Sequence, residues 1–150
     1  MVGADDARSA SGEPVAIPAA LAELMLEHAH REVPNEACGI VAGDVPWVQG
    51  GRPLRFYATK NAEHSPYRYL IDPEEQLRIV LEIDDRDEVV WGIFHSHTHS
   101  PAEPSPTDRR LAFYPGALYL IASLMEPEAP HIRAWTIEDS DVREIRLTLA

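Results

Sequence analysis

The chain has 150 residues, 45% of them hydrophobic, and its 13 basic and 25 acidic side chains give a formal net charge of −12. This size fits one domain with one core, and the negative charge disfavours nucleic acid and anionic membranes as partners, because both repel an acidic protein. The single cysteine rules out an internal disulfide, and neither a signal peptide nor an apolar stretch of roughly 20 residues is visible, so we expect a cytoplasmic protein.

The first third of the chain predicts a tail, a helix and two strands. Residues 1–14 are mostly small or acidic and offer little to bury, so we expect a disordered tail before a domain at 15–150. A starting proline and the apolar spacing after it predict a helix over about 18–34. Short apolar runs at 37–43 and 54–59, bounded by turn residues, predict two neighbouring strands.

The middle of the chain predicts a loop, a helix and a buried strand. Residues 61–72 are rich in Pro, Tyr and Asn, which is typical of an irregular connection. Pro73 then opens a predicted helix that ends within 84–87. We expect its inward side chains to be Leu77, Val80 and Leu81. Residues 88–94 predict a strand that leads directly into His95.

The last third of the chain begins with a helix start signal. Ser105 followed by Pro106 is typical of a capped helix, which we predict to continue to about Tyr114. The resulting order, α-β-β-α-β-α-β-β-β, indicates an α/β sandwich with a mixed central β-sheet flanked by helices. The three final strands are predicted near 117–124, 131–138 and 142–149.

Two H-x-H pairs stand out among the seven histidines. On the first helix, two residues of separation turn the side chains of His28 and His30 by about 200°, so these rings point apart and we expect no joint function. On a strand the same spacing places His95 and His97 on one face, where two imidazole nitrogens can converge on one metal ion.

A third ligand is expected from an anionic oxygen nearby, and Asp108 is well placed to provide it. The intervening segment contains three prolines, which can form a stiff loop that returns the next helix to the strand end. Three protein ligands leave an open position for a water, whose pKa at a zinc ion falls towards about 7. This set therefore predicts hydrolysis, although nitrogen and oxygen ligands also accommodate iron or cobalt.

Hydrolysis also needs a group that takes a proton from water and gives one to the leaving amine. Glu36 is our candidate, because it directly precedes a strand that reads as buried. Glu103, six residues after His97, is the competing candidate. Ser105 has two alternatives, as a helix cap or as a donor to the substrate's oxyanion. His99 has no defined place in the set, and we expect it in a loop or near the substrate.

These side chains resemble a known signature. The pattern E…H-[ST]-H-x7-S-x2-D of the JAMM, or MPN+, metalloproteases matches the chain at every defined position, with an E-x-C-G-x-x-x-G context around the glutamate. The resemblance implies a JAMM/MPN-like fold, which is cytidine-deaminase-like, and one Zn²⁺ per chain. It also implies that His95, His97 and Asp108 bind the zinc, that Glu36 is the catalytic acid and base, and that Ser105 stabilises the oxyanion.

Over residues 17–148 the chain resembles most closely the bacterial Mec-type members, through the segments Asn61-Ala62-x-x-Ser65-Pro66 and Asp72-Pro73-x-Glu75-Gln76-Leu77. Those enzymes release cysteine from the C-terminal Gly-Gly of a CysO-like, ubiquitin-like sulfur-carrier protein. Thr98 stands where eukaryotic deubiquitinases usually have proline, and the chain lacks room for their long insertions. The resemblance thus implies a sulfur-carrier partner and a role in cysteine biosynthesis.

Three other functions remain open at this point. A deubiquitinase-like isopeptidase would use the same residues, and a non-catalytic MPN scaffold would use the same fold. A RadC-like, DNA-associated protein would share the H-x-H…D pattern, but the charge of −12 counts against it. The segment 61–69 is a candidate wall for the substrate groove, where Tyr67 and Arg68 either contact the substrate's tail or cover apolar surface. The oligomeric state is not predicted.

Overall fold

The computed structural model describes residues 12–139 and 141–150. Most of the predicted disordered tail, residues 1–11, lies outside the described residues, and the domain boundary at 15 stays a prediction. No helix of the described ranges is long and apolar enough to cross a membrane. The elements are β1 (Val15–Ile17), α1 (Ala19–Glu32), β2 (Cys38–Gly43), a short 3-10 helix (Trp47–Gln49), β3 (Pro53–Thr59), α2 (Pro73–Asp85), β4 (Val89–His97), α3 (Pro106–Arg110), β5 (Leu118–Ser123), β6 (His131–Glu138), β7 (Asp141–Ile145) and β8 (Leu147–Leu149).

A six-stranded mixed sheet forms the centre of the fold, in the order β3-β2-β4-β5-β6-β7. Its neighbours pair antiparallel except for β4 and β5, which run parallel. Every residue of β2 and of β5 is buried, as expected for central strands whose two faces are both covered. The mixed sheet and its flanking helices confirm the predicted α/β architecture.

Two apolar clusters cover the two faces of this sheet. Successive residues of β5 alternate between them, with Leu120 in one cluster and Tyr119 in the other, as the period of two in a strand requires. Met25 of α1 packs in the first cluster, together with β1. Ile79 and Ile83 of α2 pack in the second, so each face of the sheet has its own helix.

The inward face of α2 differs from the prediction. Ile79 and Ile83 are buried, whereas Leu77 and Leu81 are 62% and 59% exposed, and Val80 is half-buried. Both isoleucines and both leucines have the i, i+4 spacing of a helix face, so the spacing alone does not tell which pair faces the sheet. The docking of the helix on the sheet decides it.

Three other boundaries also differ from the prediction. The predicted strand 142–149 is two strands, and the second, β8, pairs in parallel with β1, which the sequence did not indicate. Helix α3 ends at Arg110 rather than near Tyr114, because the backbone N–H of Tyr114 donates to the hydroxyl of Tyr119 instead of continuing the helix. Strand β4 continues through His97 instead of ending before His95.

Candidate active site

Strand β4 carries both histidines of the second H-x-H pair. His95 lies opposite Cys38 of β2 on one side and opposite Ile121 of β5 on the other. His95 and His97 are buried, and alternation along the strand points both rings to the same face of the sheet. The geometry of the strand therefore agrees with the prediction that the two rings lie on one face.

The pairing of β2 with β4 explains why Glu36 lies beside these histidines. The two strands are antiparallel, so the residues just before β2 lie next to the last residues of β4. The Glu36 side chain is buried, and its Oε1 has no hydrogen-bond partner among the described residues. A carboxyl that is buried without a partner is costly to ionise, so it either takes up a proton or is compensated by a group bound at this place.

The first turn of α3 brings Asp108 to the same place. Ser105 caps the helix, because its hydroxyl accepts from the Asp108 N–H at 3.0 Å. In return, Oδ2 of Asp108 accepts from the Ser105 N–H at 2.9 Å, which completes a capping box with Pro106 at the first helical position. The cap fixes the direction of the Asp108 carboxylate toward the histidines.

Three ligand atoms converge within hydrogen-bond distance of one another. His95 Nε2 lies 3.2 Å from His97 Nε2, and each of these nitrogens lies 3.0 Å from Asp108 Oδ2. With one carboxylate oxygen of Glu36 included, the four ligand atoms all lie within 4.8 Å of one another. The structure thus brings together four of the five predicted site residues in one buried cluster, which we call the four-residue cluster.

The electrostatics of the cluster are dominated by burial. Burial raises the pKa of the Glu36 carboxyl to about 8 and lowers the pKa of His95. Burial also lowers the pKa of His97, but hydrogen bonds to Asp108 and to the Pro101 carbonyl outweigh it, so the net shift is upward. The two histidines outweigh burial at Asp108 as well and hold its pKa well below the ordinary value. The Asp108 carboxyl is therefore ionised, while the Glu36 carboxyl can carry a proton near neutral pH.

The donor atoms of the cluster fit a divalent cation. The Nδ1–H of His97 donates to the Pro101 carbonyl at 2.7 Å, which leaves its Nε2 with a lone pair that points into the cluster. Two imidazole nitrogens and a carboxylate oxygen form a common protein ligand set for zinc. Oε1 of Glu36, which bonds to no other group in residues 12–139 and 141–150, is a further sign that the cluster can accommodate an additional polar group. The cluster is therefore a candidate metal site.

Ser105 lies at the edge of the cluster, one capping bond from Asp108. The capping alternative from the sequence is thus observed, while a donor role toward substrate stays a prediction. The competing base candidate, Glu103, lies outside the cluster, where it pairs with Arg133 on the surface. His99 is exposed in the loop after β4.

The first H-x-H pair lies outside the cluster, as the helical spacing predicts. The ring of His28 is buried, with Nε2 3.0 Å from the Cys38 carbonyl and 3.2 Å from the Thr59 carbonyl, so it is a packed histidine that joins β2 and β3. His30, two residues later, is exposed.

Three residues around the cluster were given no role of their own by the sequence analysis. The Tyr69 ring stacks on the His95 ring, with centroids 4.4 Å apart and an interplanar angle of 21°. Ser96, between the two histidines, accepts from the Ala37 N–H at 2.8 Å. Asn61 is buried and bonds to the backbone of Glu36. The family segment names Asn61 but does not show that it is buried, whereas Ser96 could have been assigned to the opposite face by alternation.

Comparison with known proteins agrees with this geometry. Residues 18–138 match the family model described as prokaryotic homologues of the JAB domain. The chain is 41% identical over 128 residues to a CysO-cysteine peptidase of Mycobacterium tuberculosis, covering 85% of this chain and 86% of that protein. It is 35% identical over 107 residues to a desampylase of Haloferax volcanii, covering 67% and 74% of the two chains.

The fold also has a close counterpart among solved structures. The solution structure of a protein from Desulfitobacterium hafniense superimposes with a TM-score of 0.80 at 38% identity, over 91% of this chain and 92% of that one. The JAMM/MPN resemblance inferred from the sequence is confirmed, as is the fold class it implied. From its cluster, its fold and its relatives, the chain belongs to the prokaryotic JAB-domain family and is a hydrolase that acts on peptide or isopeptide bonds.

Proposed function

We propose that the protein is a zinc-dependent peptidase that hydrolyses the bond after the C-terminal Gly-Gly of a ubiquitin-like sulfur-carrier protein and thereby releases cysteine. The observation that carries this proposal is the four-residue cluster, which gathers Glu36, His95, His97 and Asp108 in a buried place within 4.8 Å. The relative named CysO-cysteine peptidase, 41% identical, supports the choice of a cysteine adduct. The proposed site of action is the cytoplasm, where a lone cysteine stays reduced.

In this proposal His95, His97 and Asp108 hold the zinc ion. When bound there, zinc supplies Lewis acidity, which polarises a peptide carbonyl and lowers the pKa of a bound water. The Nδ1–H of His97 stays on the Pro101 carbonyl, so its Nε2 keeps the lone pair that a ligand needs. The capping box holds Asp108 Oδ2 in place from the backbone side.

Glu36 transfers the protons of the reaction. Its carboxylate accepts a proton from the attacking water as the water oxygen bonds to the carbonyl carbon, and it returns that proton to the amine nitrogen as the C–N bond breaks. The hydroxyl of Ser105 accepts from Asp108 N–H and keeps its own proton free to donate to the carbonyl oxygen, where negative charge develops. A Gly-Gly tail suits this buried place, since it brings no side chains of its own.

One alternative is supported by a specific observation. The desampylase relative, 35% identical, favours an isopeptidase that removes a carrier from a substrate amine. The same residues would catalyse both reactions, so the two functions differ only in the leaving amine. A non-catalytic scaffold is not favoured, because all members of the four-residue cluster are present.

Mass spectrometry can test the proposal directly. A ubiquitin-like carrier that ends in Gly-Gly-Cys is incubated with the wild-type protein and with Glu36→Gln, which keeps the shape of the side chain but removes the base. We expect loss of one cysteine with the wild type, and a rate lower by about 10²-fold or more with Glu36→Gln. Glu103→Gln is the matched control, since that carboxylate is on the surface and pairs with Arg133.

The same experiment decides between the alternatives. A carrier joined through an isopeptide bond to a lysine side chain is supplied in parallel, and faster cleavage of this conjugate would favour the isopeptidase. Elemental analysis of the purified protein is expected to give about one zinc per chain, retained in Glu36→Gln. Equal turnover by the wild type and Glu36→Gln, or a zinc content near zero that added zinc does not restore, would refute the proposal.

A further inference from the structure

We propose that Asn61 is a positioning residue, which fixes the backbone of Glu36 and the ring that covers His95, a role that rests on the function proposed above. Asn61 lies just after β3, at the start of the segment 61–70, and only 4% of it is exposed. From the sequence it is named only as part of a segment that carries the family resemblance, without a role of its own. The hydrogen bonds of its side chain, however, are all with backbone groups, one of which belongs to Glu36 of the four-residue cluster.

The Asn61 amide uses all four of its hydrogen-bonding positions. Its Nδ2 donates to the Glu36 carbonyl and to the Arg68 carbonyl, each at 3.0 Å. Its Oδ1 accepts from the backbone N–H groups of Glu63 and Leu70, each at 3.0 Å. Two donors face two carbonyls and one acceptor faces two N–H groups, so only an amide in this orientation satisfies the site.

Glu36 depends on its backbone for its position. Its Oε1 has no partner in the described ranges. Its backbone, by contrast, is held on both sides, because its N–H donates to the Ser65 carbonyl at 2.9 Å and its carbonyl accepts from Asn61. The next N–H, that of Ala37, donates to Ser96 between the two histidines. The place of the carboxylate is thus set by bonds from the segment 61–70 and from β4.

The same amide also fixes the neighbour of His95. Arg68 and Leu70, whose backbone groups bond to Asn61, flank Tyr69 in the chain. The Tyr69 ring stacks on His95 with centroids 4.4 Å apart. One side chain therefore ties together the proposed base and the ring that packs on a proposed ligand. A displacement of about 1 Å of a reacting group can cost about 10²-fold in rate, so this connection is expected to matter for turnover.

The variant Asn61→Asp tests the connection with almost no change in shape. The carboxylate keeps an acceptor for Glu63 and Leu70 but places an oxygen against the carbonyls of Glu36 and Arg68, and one proton at most can replace the two lost donors. We expect kcat to fall about 10²-fold, KM to change by less than about tenfold, and zinc to stay near one per chain, since the four hydrogen bonds of the Asn61 side chain all go to residues other than the three proposed zinc ligands.

Asn35→Asp is the matched control. It makes the same chemical change, and so adds the same charge, directly before Glu36. The Asn35 backbone N–H donates to the Glu32 carbonyl, but its side chain forms no hydrogen bond with any described residue. Its kcat is expected to stay within about threefold of the wild type. The control thus shows whether an added charge beside Glu36 lowers kcat by itself, and Asn61→Ser removes the amide with no charge added.

Amide hydrogen exchange measured by NMR provides a readout without substrate. Protection factors of the Glu36 and Ala62 amides, which bond to the Ser65 and Leu70 carbonyls, are expected to fall at least about tenfold in Asn61→Asp and to stay unchanged in the control. Asn61→Ser, which removes the amide without adding charge, replaces Asn61→Asp should that variant fail to fold.

A loss of kcat together with lower protection at Glu36 supports the proposal. Equal kcat in the two aspartate variants refutes it, and so does lower protection with unchanged kcat, which would leave Asn61 with a structural role only. Wild-type protein that cleaves no carrier refutes the proposed function instead, and the protection factors then decide by themselves whether Asn61 holds Glu36.

Discussion

Replacing Ser105 with alanine separates the two roles of its hydroxyl, as cap of α3 and as donor to the substrate's carbonyl oxygen. The hydroxyl accepts from Asp108 N–H at 3.0 Å, and this bond is lost in Ser105→Ala. The second bond of the capping box runs from the backbone N–H of residue 105 to Asp108 Oδ2, does not involve the Ser105 side chain and is retained. Asp108 therefore stays directed at the histidines, and we expect the zinc content to be unchanged.

The loss of the cap has a calculable effect on stability. Alanine at an N-cap costs about 1 kcal/mol, against a free energy of unfolding of about 5–15 kcal/mol for a typical domain. Even if the free energy of unfolding is at the lower end of this range, only about 0.1% of the molecules are unfolded after the substitution. The expected fall in melting temperature is about 2–4 °C. The cap by itself thus leaves the turnover of the folded enzyme almost unchanged.

The loss of a donor to the carbonyl oxygen has a far larger effect on the rate. Removal of one such donor lowers kcat by about 10²–10³-fold, which corresponds to about 2.7–4 kcal/mol in the transition state. We therefore expect Ser105→Ala to lower kcat by a factor in this range. The variant should still bind zinc, and its melting temperature should fall only slightly. The small loss of stability then cannot account for the large loss of turnover, so the hydroxyl must have a second role.

A second cap of the same type supplies the control. Asp72 caps α2, accepts from the Glu75 N–H at 3.1 Å and is followed by a proline, as Ser105 is. Asp72→Ala should lower the melting temperature by a similar amount with wild-type kcat. Both variants are assayed with the Gly-Gly-Cys carrier and by thermal unfolding. Wild-type kcat in Ser105→Ala would show that Ser105 serves only as a cap.

Three further predictions follow from individual contacts. Asp108→Ala should lose zinc in elemental analysis, and a full zinc content would show that another group is the third ligand. Gly39→Ala would place a Cβ 2.5 Å from the Tyr57 carbonyl oxygen and should cost about 1–3 kcal/mol in denaturant unfolding, whereas Gly116→Ala, with nothing within 4 Å, should cost much less. Burial raises the pKa of the Cys38 thiol to about 12, so alkylation at pH 8 should require unfolding, and rapid labelling of the native protein would contradict this burial.

Much of the fold could be predicted because local signals and tertiary packing agree. The strands β2, β3, β5 and β6 lie within about two residues of their predicted ranges, since short apolar runs between turn residues have few other ways to be buried. The face of α2 and the short β1–β8 pair could not be predicted. In both, the sequence allows more than one partner surface, and the packing of distant segments selects one.

The candidate site shows the same division. His95 and His97 could be paired from the sequence because alternation in a strand puts both on one face, and the spacing to Ser105 and Asp108 is local as well. Glu36, 59 residues before His95 in the numbering, was chosen from its place before a buried strand and then from the family pattern, with no spacing that links it to the histidines. Its proximity to the histidines depends on the antiparallel pairing of β2 with β4, which no local signal encodes.

The amino-acid sequence alone determined which donor groups are available. They are two imidazoles, two residues apart on a strand, and an aspartate in the first turn of a capped helix. Tertiary structure alone decided that these groups meet a buried glutamate and that Asn61 and Tyr69 support them. The physical reason is that hydrogen bonds and ring contacts between residues far apart in sequence form only after the strands have paired. The periodicity of the sequence predicts which face of a helix or strand a side chain occupies, but not which residues it contacts there.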